Sequence, residues 1–301
     1  MRRTVIVLTC VLLLLCMGCA PAADEGAVID QMSAMSPQII YYPSDNGYVV
    51  PTVRNLAAVS PQHIADELLY TSENLTLLSG HGLTPALNDG AEVNVAVVNG
   101  AATVKLSHFK PASLEQEELA LTCLSASLLE LDTVNSVQFK LMDAEEQATA
   151  TVFGTDLSEP VNAYMLNGEN DPSSKSASAV TLYFIDIETG HIVPVTRYIT
   201  AKPDANNVMF EYQAGPLNSK TLVSGLPEGA QINTFELKDG VATIDFNQKF
   251  ENLMENPALE QSVLSAIALT CEQFEDVESV RVMVEGQQYE EPALSTFTTI
   301  P

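Results

Sequence analysis

Val49-Val50-Pro51-Thr52-Val53-Arg54 and Ile192-Val193-Pro194-Val195-Thr196-Arg197 are one pattern written twice, at an offset of 143 residues. Two further landmarks repeat with it. Asn99-Gly100 followed by Ala102-Thr103-Val104 matches Asp239-Gly240 followed by Ala242-Thr243-Ile244 at an offset of 140, and Ser136-Val137 matches Ser279-Val280 at 143 again. Self-similarity at a long fixed period marks a duplicated structural unit. The drift to 140 and back places small compensating length changes in loops.

Ala-Leu-Thr-Cys also occurs twice, at 120–123 and 268–271, but its offset of 148 does not fit. Helical periodicity decides the register instead. Leu121, Leu124, Leu128 and Leu131 form an i, i+3, i+7, i+10 stripe, and Leu264, Ile267, Cys271 and Phe274 form the same stripe 143 residues later. Cys271 therefore lies on the apolar stripe, and Cys123 lies one residue off it.

Each copy reads alike. A hairpin comes first, with Ile39–Tyr42 and Val49–Val53 joined at Asp45-Asn46-Gly47, or Thr181–Phe184 and Ile192–Thr196 joined near Gly190. A helix follows, which Ser60-Pro61 starts in the first copy as N-cap and first-turn proline. The second hairpin turns at Asn99-Gly100 or Asp239-Gly240, dipeptides that accept positive φ at both central positions. A longer helix starts at Ser113, with Gln116 completing a capping box, or at Asn256-Pro257. A strand closes the unit at Val137–Leu141 or Val280–Val284. The expected fold class is α+β: two tandem copies of a small domain, each a mixed sheet packed against two helices. The expected boundaries are a first domain at 37–166, a linker at 167–178 around Ser173-Ser174-Lys175-Ser176, a second domain at 179–294 and a tail at 295–301.

Composition excludes several functions. Among 301 residues, 39 acidic side chains face 13 basic ones, a formal charge of −26. Clustered Lys and Arg are what phosphate contacts need, so neither nucleic acid nor an anionic membrane surface is an expected charge partner. A hydrophobic fraction of 46% is enough for packed cores. Charged residues are only 17%, so the acidity reflects missing Lys and Arg rather than excess acid.

The N-terminus carries a location signal. Met1-Arg2-Arg3 is a positive n-region, and Val5–Met17 is a 13-residue apolar core, shorter than the ~20 residues of a membrane span and suited to a signal peptide. Gly18-Cys19 after this run resembles a bacterial lipobox, although Cys16-Met17 departs from the usual Leu and small residue. The expectation is a signal peptide at 1–18, a lipid on Cys19 and a small, polar tether at 19–36. The competing reading is an ordinary signal peptide cleaved near Ala20 or Ala23. Removal of 1–18 takes Arg2 and Arg3 with it, leaving 11 basic against 39 acidic side chains, or −28. Cys10 and Cys16 leave as well, so Cys123 and Cys271 remain as thiols, expected to be buried and free.

The order of motifs in the second copy resembles a known family. Val-Pro-x-x-Arg, a helix, Gly215-Pro216, Leu226-Pro227-Glu228-Gly229, Asp239-Gly240-Val241-Ala242, a helix, and Leu269-Thr270 through Phe274, Val277 and Ser279-Val280 to Glu285-Gly286 are similar to the GerMN domain, the sporulation and spore germination domain. In the first copy Ser72-Glu73 replaces Gly-Pro and the following loop is longer. A lipobox followed by two such domains is the layout of GerM-type lipoproteins of endospore-forming bacteria. The resemblance implies an extracytoplasmic, membrane-anchored, non-enzymatic protein that works in sporulation or germination through protein contacts. The implied partners are the membrane, by the lipid on Cys19, and envelope or sporulation-complex proteins. No cofactor and no metal are implied. The alternative class is an envelope binding module for a wall polysaccharide or small ligand, for which a chain without Trp is poorly equipped.

Catalytic patterns are scarce. Ser107-His108-Phe109-Lys110 matches Ser-x-x-Lys but lacks the companion motifs of that acyl-enzyme class and falls at a strand end. His63, His81, His108 and His191 do not recur at repeat positions. His81, between Gly80 and Gly82, is the one most open to a ligand role. The polar feature that does recur is an arginine at a strand end, Arg54 and Arg197. Each could grip a carboxylate on a partner, or pair internally with its own acidic helix.

Overall fold

The computed structural model describes residues 35–142, 150–173, 175–217, 220–289 and 297–301. The expected signal peptide at 1–18, Cys19 and most of the expected tether lie outside these residues. In the first copy, β1 (Ser36–Pro43) and β2 (Val49–Leu56) form the first hairpin, followed by α1 (Pro61–Asp66) and α2 (Ser72–Ser79). β3 (Glu92–Val98) and β4 (Ala101–Ser107) form the second hairpin, and α3 (Leu114–Leu129) crosses over to β5 (Ser136–Leu141). The second copy runs β6 (Ser178–Asp186), β7 (Ile192–Ile199), α4 (Ala205–Ala214), β8 (Leu222–Val223), β9 (Ile232–Lys238) and β10 (Val241–Phe246). A 3₁₀ segment (Gln248–Glu255) then leads into α5 (Pro257–Glu272), β11 (Ser279–Val284), β12 (Gln287–Gln288) and β13 (Thr299–Ile300).

Within each copy the last strand lies parallel to the second strand of the second hairpin, β5 on β4 and β11 on β10, with the long helix as the crossover. The three-stranded core is therefore a mixed sheet, β3-β4-β5 or β9-β10-β11, and the first hairpin packs across the other side of the helix. The fold is α+β in two copies.

The turns explain why the two sheets match. Asn99 and Gly100 have φ of 52° and 83°, Asp239 and Gly240 of 51° and 77°, as a type I′ turn demands. The same glycine receives the closing strand. Asn135 N and Ser136 N both donate to Gly100 O, at 2.7 and 3.3 Å, as Glu278 N and Ser279 N do to Gly240 O, at 2.7 and 3.1 Å. A Cβ on Gly100 would stand 2.3 Å from Asn135 Nδ2, so a larger residue would have to displace that side chain in addition to the strain of φ 83°.

The helix starts follow the cap residues. Ser60 Oγ accepts from His63 N, Ser113 Oγ from Gln116 N, and Asn256 Oδ1 from Leu259 N. The capping box differs in one bond: Gln116 Oε1 accepts from Ala112 N, the residue before the cap, rather than from the cap itself. α3 and α5 are 16 residues each at an offset of 143, so Cys123 aligns with Ala266 and Cys271 with Leu128. Both thiols are fully buried and free. Cys123 is covered although it is off the stripe, because α3 packs against β1 and β2 as well as β5 and α1. Burial pushes the Cys271 thiol up to about 12, and raises Cys123 further.

Residues 34–301 form one compact unit. What joins the copies is an exchange. The segment after the first copy lies along β7 of the second: Thr196 N donates to Leu166 O at 2.8 Å and Glu169 N to Thr196 O at 3.0 Å. The segment after the second copy lies along β2 of the first, as β13, with Val53 N donating to Thr298 O at 2.9 Å. Tyr41 and Tyr183 are equivalent here, opposite Pro51 and Pro194, and their N–H groups donate to Ser127 Oγ and Thr270 Oγ1 on the long helices. Their rings meet Tyr164 and Phe297, which the two exchanged segments supply.

Candidate functional site

Arg197 is 2% exposed and makes five hydrogen bonds inside the chain. Nε and Nη2 donate to Glu169 Oε2 at 2.8 and 2.6 Å, Nη1 to Glu211 O and Oε2 at 3.2 and 3.1 Å, and Nη2 to Gly215 O at 2.7 Å. A guanidinium has five N–H groups, so none is left for a partner. Of the two readings of this arginine, the bonds match the internal one: Arg197 acts as a clamp within the chain. It ties β7 to α4 and to the segment that leaves the first copy, and its guanidinium carbon lies 5.8 Å from the Phe184 ring centre.

Arg54 is the looser equivalent. Its Nη2 lies 2.8 Å from Glu67 Oε2 at the end of α1, and its side chain is 11% exposed. Arg54 Nε is buried with no hydrogen-bond partner among the described residues. Burial pushes the Glu67 carboxyl up, against the opposing pull of Arg54.

The histidines go to structure. His63 Nδ1 lies 2.8 Å from Ser60 Oγ at the α1 cap. His81 contributes its main-chain oxygen to His191 Nε2 at 2.8 Å, and His191 Nδ1 lies 3.1 Å from Thr298 Oγ1. His108 follows β4 directly at φ 54°, where Asn88 Nδ2 donates to its main-chain oxygen. Among the described residues there is no group of three or more His, Cys, Asp or Glu that could hold a metal ion. No helix there is long and apolar enough to cross a membrane.

Three features went unread in the sequence. Glu117 on α3 is fully buried and accepts from Thr151 Oγ1, from Thr155 Oγ1 at 2.6 Å and from Phe153 N at 3.3 Å. It holds a tight turn whose tip leaves Val152 and Phe153 exposed. Gln62 on α1 seals the outer edge of β3, with Oε1 accepting from Val95 N at 2.8 Å and Nε2 donating to Val93 O at 3.1 Å. A side chain there does what an added strand would do.

The third feature is a cleft of about 640 Å³ in the first copy, between the β1–β2 turn, α2, the loop before β3 and the start of α3. No periodicity marks it, because its walls come from four separate loops and helix ends.

The comparisons agree with this architecture. Residues 39–146 and 181–290 each match the Germane family, described as sporulation and spore germination. The spore germination protein GerM of Bacillus subtilis (strain 168) is 26% identical over 279 residues, covering 88% of this chain and 75% of GerM. The solved tandem GerMN domains of the sporulation protein GerM from Bacillus subtilis superpose with a TM-score of 0.67 at 22% identity, covering 89% of this chain and 97% of theirs. With both matches falling on the repeat, this chain belongs to the Germane family and carries its domain twice.

Proposed function

We propose that this protein is a non-enzymatic, lipid-anchored extracytoplasmic assembly factor that serves sporulation or spore germination through protein–protein contacts. The observation that carries the reading is the Germane match on both copies, together with likeness to a spore germination protein along most of the chain. Gly18-Cys19 after the apolar run supports the anchor. A lipid on Cys19 would hold the body at the membrane, where two domains on one anchor raise the effective concentration of any contact they make. The buried polar groups support a structural body: Arg197 and Glu117 have their bonds within the chain.

Two measurements test this. Metabolic palmitate labelling should mark the wild-type protein and not Cys19→Ser, which should also leave the membrane fraction. Crosslinking and capture from cells entering sporulation should recover envelope proteins that growing cells do not yield. Recovery of wall polymer instead, or of the same partners at both stages, would end the sporulation reading.

A further inference from the structure

The two copies differ around the cleft. α2 and the long loop to β3 stand where the second copy runs through Gly215-Pro216. The connection from β4 to α3 takes six residues, 108–113, where the second copy uses ten, 247–256, and packs Phe250 and Leu253 into the core. The cleft wall is mixed, with an apolar part made by Leu75, Pro85 and Leu119 and by Tyr70, 39% exposed at its side.

Its charges have one sign. Asp45, Asp89 and Glu115 line it, all exposed, with no Lys, Arg or His among the lining residues. Among the described residues none of the three makes an ion pair. Glu115 Oε1 packs 3.0 Å from where a Cβ on Gly47 would stand, so the first turn of α3 meets the β1–β2 turn that carries Asp45. Like charges gathered beside apolar surface repel one another and every anionic partner, and a cationic one relieves them.

We propose that this cleft binds a basic, extended segment of a partner protein, placing an aliphatic or aromatic side chain against Tyr70 and Leu75 and flanking lysines or arginines against Asp45, Asp89 and Glu115. The inference rests on the assembly role and supplies the chemistry of the partner. Apolar contact provides the affinity, and the carboxylates provide selection and a fast encounter.

The chain has no tryptophan, so Tyr70→Trp places a single fluorescent reporter in the cleft. Full-length Y70W protein is titrated with a synthetic peptide of alternating lysine and leucine. The expected result is a saturable blue shift, weakened about tenfold or more by D45N/D89N/E115Q and by raised salt. Equal binding by the triple variant would overturn the proposal. So would equal binding of a peptide with glutamate for lysine or serine for leucine, or the absence of any shift. The triple variant is also used in the crosslinking capture. A partner captured by wild type and lost with the variant supports the cleft. Equal capture by both overturns the cleft and leaves the assembly role standing. Peptide binding with no envelope protein captured supports the cleft and removes the assembly role.

Discussion

His191 donates its Nε2–H to the main-chain oxygen of His81, 2.8 Å away, so an imidazole of the second copy is held by the backbone of the first. A carbonyl can only accept, which assigns the ring proton to Nε2 and leaves Nδ1 to accept from Thr298 in β13. One buried ring thus joins three segments that are far apart in the chain.

Burial lowers the His191 pKa, opposed by the bond to His81. Below about pH 6.5 the unfolded chain takes up a proton that the folded ring resists, so stability falls as pH drops through that window. Denaturation midpoints measured from about pH 8 to about pH 5 should decline more steeply for wild type than for His191→Gln, which cannot titrate. Parallel slopes would refute it.

Glu169 and Glu67 answer equivalent arginines but differ in weight. Removing Glu169 takes away the buried carboxylate and leaves the Arg197 guanidinium with only the half-exposed Glu211, so Glu169→Ala should cost about 3 kcal/mol. Glu67 is 22% exposed and its carboxyl is already strained by burial, so Glu67→Gln should stay within about 1 kcal/mol. Urea unfolding of both variants compares them directly.

Glu117 organises the turn at Thr151–Thr155 from inside the fold. Burial acts to raise its pKa, but hydrogen bonds from Thr151, Thr155 and Phe153 outweigh it and hold the carboxyl below its ordinary range. Its contribution is therefore present above about pH 4.5 and is lost as pH falls through the lowered value. Glu117→Ala should release the turn, and chymotrypsin should then cut after Phe153 many times faster than in wild type.

Cys123 and Cys271 are buried with raised pKa values, so a thiol reagent should leave both untouched in the native protein. Both should react at once in denaturant without reductant. Failure to react there would mean they are paired.

The duplicated pattern, the Asn-Gly and Asp-Gly turns, the caps and the 143-residue helix register were legible because each rests on neighbours in the chain. The first copy's single expected helix is two, α1 and α2, with Asn74 Nδ2 closing the break onto Glu67 O and Leu69 O. That break depends on a bond across seven residues with no periodic signature. Leu166–Asn170 and β13 were hidden for a related reason: each pairs with a strand of the other copy, and a segment read in isolation shows no sign of a distant edge. Arg197 was visible as a repeated residue, but its fate depended on Glu169, which lies in a stretch that reads as a linker. The cleft was invisible because the loops that wall it share no pattern.

The exchanged segments also bear on how such a gene can change. A recombination event that excised either repeat would strip the survivor of the strand lying on its first hairpin, and would take Glu169 from Arg197 or β13 from Arg54. The duplication is thus locked after the fact: the halves can drift apart in residue identity, as the cleft of the first has from the second, yet they are inherited as one piece.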